Sequence, residues 1–116
     1  MILPDRPRIY VAKAAVDLRW GFDRLAGVVA QQFGQSPRDG ALFVFLNKAR
    51  NRLKILLWDR SGFWVFAKRL EKGTFAWPRS DARSVELRSE ELSILLGGFD
   101  LARVRRRAWY DREPSA

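Results

Sequence analysis

Between residues 40 and 78 the apolar positions fall into three runs, broken by Asn47-Lys48-Ala49-Arg50-Asn51 and by Asp59-Arg60-Ser61-Gly62. Short β-rich runs separated by turn residues pair with their neighbours in the chain, so the pattern predicts an antiparallel meander. The second turn sets Trp58 opposite Phe63, and strand alternation then sorts the side chains. Leu53, Ile55 and Leu57 share one face with Trp64, Phe66 and Lys68. Arg52, Lys54, Leu56 and Trp58 share the other with Phe63, Val65, Ala67 and Arg69. The first reads as a core face and the second as a basic-aromatic face. The run from 41 to 46 is apolar on both sides, so its register is not legible.

Upstream, Ile9, Tyr10 and Val11 predict a short first strand. Leu18, Phe22, Leu25, Val29 and Phe33 recur at helical spacing. With Asp17 as N-cap and Gly34 as terminator they predict one amphipathic helix over 17–33, the natural cover for the core face. Gly21 inside that helix costs about 1 kcal/mol against Ala and suggests a close approach. Downstream, Phe75 to Trp77 is a candidate extension of the sheet, and Val85-Glu86-Leu87 is a short β-like run. Ser89 with Glu90 and Glu91 marks a second helix start, Leu92, Leu95 and Leu96 form its apolar stripe, and Gly97-Gly98 ends it. The predicted fold is α+β: an antiparallel meander sheet against one long amphipathic helix, with a second short C-terminal helix. No repeat or second domain is visible. Residues 1–102 read as one domain and 103–116 as a basic, flexible tail.

Charge changes this picture. The 116 residues hold 22 Lys and Arg against 13 Asp and Glu, a formal charge of +9. An excess of that size in a small domain favours a polyanionic partner. Cysteine and histidine are absent, which excludes disulfides, thiolate metal sites and the usual general base. No apolar run approaches the length of a membrane span, and the first eight residues lack the apolar core of a signal peptide. A soluble cytoplasmic protein without cofactor or metal is expected.

Several short motifs then occur in order. Asp17-Leu18-Arg19 and Gly21-Phe22-Asp23 are followed by Gly40-Ala41-Leu42-Phe43-Val44-Phe45 and Arg52-Leu53-Lys54-Ile55-Leu56. Next come Trp58-Asp59, Ser61-Gly62, and Lys68-Arg69-Leu70-Glu71-Lys72-Gly73 with Phe75, Trp77 and Pro78. This series resembles the small Orf2-like accessory proteins of bacterial insertion sequences of the IS-sixty-six type, over about residues 9–100. The resemblance implies a protein that assists transposition beside a separate transposase, and it carries over no catalytic residue. Trp20 stands where members of that family often have Lys, and the Arg-rich tail is longer than the shared core.

The sharpest functional signal is the basic-aromatic face. Cations neutralise phosphates and flat aromatics can stack on bases, so Arg52, Lys54, Trp58, Phe63 and Arg69 are candidate nucleic-acid contacts. The plain alternative is an outer face covered by the second helix, with charged heads at its rim. Arg103, Arg105, Arg106 and Arg107, beside Trp109 and Tyr110, are a second, sequence-independent attraction for DNA. A Mg²⁺ site on Asp17, Asp23, Asp59 and Glu71 is not favoured. Asp17 reads as a helix cap, Asp23 as an exposed helix residue and Asp59 as a turn former. The block from 68 to 73 lacks the glycine spacing of a phosphate-binding loop. The expectation is a non-enzymatic DNA-binding accessory factor of transposition. An adaptor that binds the transposase without touching DNA is the alternative, and an RNA-binding sheet ranks third. Oligomeric state is not legible.

Overall fold

The computed structural model describes residues 7–78 and 84–97. Turn 59–62 organises its longest hairpin. The Asp59 carboxylate accepts the backbone N–H groups of Ser61 and Gly62, both at 3.2 Å, and the Ser61 hydroxyl at 3.0 Å. Arg60 sits at a left-handed φ of 82°. The strands on either side are β3, Arg52–Trp58, and β4, Phe63–Arg69. They pair from Trp58↔Phe63 to Arg52↔Arg69, the register expected from the turn.

The sheet is mixed rather than a simple antiparallel meander. Strand β2, Leu42–Leu46, pairs antiparallel with β3 and parallel with β1, Ile9–Ala12. Strand β5, Ser84–Leu87, pairs antiparallel with β1, giving the order β4-β3-β2-β1-β5. The expected strand at Phe75 to Trp77 does not form. Those residues anchor instead: Phe75 is 1% exposed and its N–H donates to the Arg50 carbonyl at 2.7 Å, while the Trp77 indole donates to the Ala12 carbonyl at 2.7 Å.

The expected long helix is shorter and starts later. Helix α1 spans Phe22–Val28 and continues as a π-helical turn, Val29–Phe33, that ends at Gly34 with a left-handed φ of 64°. Gly21 is the N-cap, where its missing side chain costs little, so the interior penalty does not arise. Asp17 caps no helix. Its carboxylate holds the Arg19 N–H at 2.9 Å in the preceding turn. At α2, Ser89–Leu96, the N-cap is Arg88 rather than Ser89, and the Glu91 carboxylate accepts the Arg88 N–H at 3.1 Å.

The helices cover the sheet in the reverse of the expected arrangement. Leu25, Val28 and Val29 pack against Phe43, Phe45 and Leu56, on the side of the basic-aromatic face. The Leu53 and Ile55 side is covered by Leu92 and Leu95 of α2 together with Phe75 and Trp77. Chirality is the reason. A crossover between adjacent parallel strands is right-handed almost without exception, so once β1 and β2 run parallel, the side taken by α1 is determined. Among the described residues no polar or charged side chain is buried in either core.

Candidate nucleic-acid interface

Helix α1 covers only part of its face, because it lies against the 43, 45 and 56 positions. Toward the Arg52–Arg69 end of the hairpin it gives way to an open groove of about 1110 Å³. One wall is the segment entering α1, with Asp17 and Arg19; another is the β2–β3 loop, with Lys48; the floor carries Arg52, Lys54 and Arg69.

The loop is held stiffly. The Asn47 side-chain oxygen accepts the N–H groups of Asn51 at 3.1 Å and Arg52 at 2.9 Å, and its amide donates to Asn51 Oδ1 at 2.9 Å. Outside the loop, the Leu70 N–H donates to the Asn51 carbonyl at 2.9 Å. Lys48 is thereby displayed on a fixed turn. Lys54 is half-buried and spans to the opposite wall, donating to the Trp20 carbonyl at 3.4 Å.

Five cations therefore converge on one groove with two carboxylates, and both carboxylates have partners. Asp17 accepts Arg19 Nη2 at 2.7 Å, and Glu71 accepts Arg69 Nη2 at 3.3 Å. The Arg19 guanidinium, followed by the Arg19 backbone N–H, draws Asp17 down from 3.8 to about 2. A sixth cation, Lys68, also lines the groove, but its ammonium donates to the Leu96 carbonyl at 2.6 Å on the other side of the sheet.

Arg52 and Arg69 are direct cross-strand partners. Like charges directly opposite each other weaken a sheet, and Glu71 offsets only part of this from one side. Hairpin stability does not account for a local conflict of this kind.

The expected site residues divide. Arg52, Lys54 and Arg69 meet in the groove. Trp58 and Phe63 lie at the far end of the hairpin, ring against ring at 4.9 Å, with the Arg38 guanidinium 5.0 Å over the Trp58 ring. Both are half-buried, and neither lines the groove. Arg103, Arg105, Arg106 and Arg107 lie outside the described residues. Arg19 and Lys48 were not expected, since each belongs to a loop whose position only the fold determines. The residue types themselves were the available signal: a cation beside a turn-forming Asp, and another inside an Asn-rich turn. Among the described residues no group of three or more Asp and Glu is placed to hold a metal ion.

The family described as IS66 Orf2-like protein matches residues 7–106. The chain belongs to this IS66 Orf2-like family. Two relatives come from Sinorhizobium fredii. The uncharacterized protein y4hO is 37% identical over 93 residues, covering 80% of this chain and 81% of that protein. The uncharacterized protein y4jC is 38% identical over 108 residues, covering 92% of each. No solved structure matches the chain. Membership makes this a transposition accessory protein of an insertion sequence, and the groove lies wholly within the matched region. No helix among the described residues is long and apolar enough to cross a membrane.

Proposed function

We propose that this protein is a non-enzymatic accessory factor of transposition that grips the sugar–phosphate backbone of DNA in the groove beside α1. The observation that carries the reading is the convergence of Arg19, Lys48, Arg52, Lys54 and Arg69 on one concave surface, where Arg19 and Arg69 also hold its two carboxylates and the positive charge stays in excess. Among the described residues no aromatic ring lines that surface. Base stacking therefore has no platform there, and the contacts are to phosphates, which position DNA without reading sequence. The reading favours duplex DNA over single strands and makes the groove a clamp on the element's ends or its target. The tail arginines would add further phosphate contacts.

The test is fluorescence anisotropy with duplex DNA at several salt concentrations. Each phosphate contact contributes about −0.9 to the slope of log K against log salt. Contacts from the five cations thus predict a slope of several units, and a flat response would sink the proposal. Family membership also supports the adaptor reading, in which the protein holds the separate transposase without contacting DNA. Co-purification of the pair after nuclease treatment distinguishes them: a complex that survives, with no DNA binding by the accessory protein alone, favours the adaptor.

A further inference from the structure

Strand β4 is the outer strand of the sheet, and among the described residues it pairs with β3 alone. The hydrogen-bond parity of that pairing is readable at both ends. The Asp59 N–H donates to the Gly62 carbonyl at one end, and the Leu70 N–H donates to the Asn51 carbonyl at the other. In an antiparallel ladder the inward and outward backbone groups alternate. Trp64, Phe66 and Lys68 therefore turn their N–H and C=O groups toward β3, while Phe63, Val65, Ala67 and Arg69 direct theirs away from the sheet.

On the side of the sheet away from α1 this edge also exposes apolar surface. Trp64 is 43% and Phe66 37% exposed, and their rings lie nearly parallel with centroids 6.1 Å apart. Trp64 is held there by its indole N–H, which donates to Asp59 Oδ2 at 2.6 Å. A seven-residue edge without proline, carrying stacked aromatics, is a template for another strand.

The composition of the strand selects its partner. The end near the turn is aromatic, Phe63 and Trp64, and Asp59 there offsets Arg60. The far end is cationic, where Lys68, Arg69 and Lys72 outweigh Glu71. Such a strip complements itself only when reversed. We infer that β4 pairs antiparallel with β4 of a second copy about a two-fold axis at Phe66. Val65 then faces Ala67 of the partner copy in a hydrogen-bonded pair, as does Phe63 with Arg69. Lys68 faces Trp64, and cations meet rings instead of each other. The register uses every outward backbone group of the strand and makes one ten-stranded sheet. Its axis stands perpendicular to the sheet, so both basic grooves open on the same face. The pairing itself does not depend on what those grooves bind.

The chain has no cysteine, which gives a direct test. At the two-fold, Phe66 and its mate form a non-hydrogen-bonded pair with Cα atoms about 4.5 Å apart, within disulfide reach. Under mild oxidation Phe66→Cys is expected to cross-link at least tenfold faster than Ala67→Cys. In sedimentation the unmodified protein is expected at twice its 13.5 kDa chain mass. Ala67→Pro, which removes an outward N–H from the edge, is expected to be monomeric and still folded, with the circular-dichroism spectrum of the parent and an unfolding midpoint that no longer rises with protein concentration. Should Ala67→Pro fail to fold, the cross-linking comparison decides alone. A monomer at 100 µM protein, or equal cross-linking at both positions, would overturn the inference. So would an edge found to pair with a transposase strand instead.

Discussion

Arg52 and Arg69 show how one pair of residues can set stability against binding. Facing each other across the hairpin, they repel; in the proposed DNA complex they would share one phosphate and cooperate. Replacing Arg52 by Thr, which suits a strand, should raise unfolding stability by a few tenths to about 1 kcal/mol. The same change should weaken DNA binding and lower the salt slope by about 1 unit. Chemical denaturation and anisotropy on the same variant check both halves, and a loss of stability would contradict the repulsion. Asp17 tests the wall of the groove. Its folded value of about 2 lies below the ordinary 3.8, so its favourable interaction with Arg19 is complete above about pH 4 and is lost as pH falls through 2. An NMR titration should find that midpoint, and Arg19→Ala should return it toward 3.8, because the guanidinium is the largest cause of the shift.

At the scale of elements, α1 and the β2–β3 loop do the positioning. Leu25 is fully buried at the centre of the α1 contact. Its replacement by Ala should cost about 2–5 kcal/mol in a denaturant melt, through lost transfer energy and the cavity left behind. Asn47 acts through hydrogen bonds rather than burial, closing the loop at three points. Asn47→Ala should cost about 1–3 kcal/mol. It should also release Lys48, lowering DNA affinity in anisotropy even though Asn47 itself carries no charge. The hairpin and the end of the helix at Gly34 were legible because turn chemistry and a left-handed glycine act within a few residues. The late start of α1 was not. Asp17 satisfies the local rule for an N-cap, but its carboxylate is taken by Arg19 two residues on.

For the whole molecule, the decisive quantity is charge gathered by folding. Arg19, Lys48 and Arg69 are up to 50 positions apart in the chain and line one groove. A double reversal, Lys54→Glu with Arg69→Glu, should lower DNA affinity more than tenfold at low salt, read by anisotropy. The same reversal of Lys72, which does not line the groove, should have a smaller effect. By itself the sequence determined the α+β class, the hairpin register and the sorting of Arg52, Lys54 and Arg69 onto one face. Each of these follows from period-two alternation and local turn chemistry. Tertiary structure alone decided that α1 covers the basic side, that α2 with Phe75 and Trp77 covers the other, and that two loop cations complete the groove. These depend on β1 joining β2 in parallel and on the handedness of the crossover between them. A strand apolar on both faces, such as β2, records neither in its own residues.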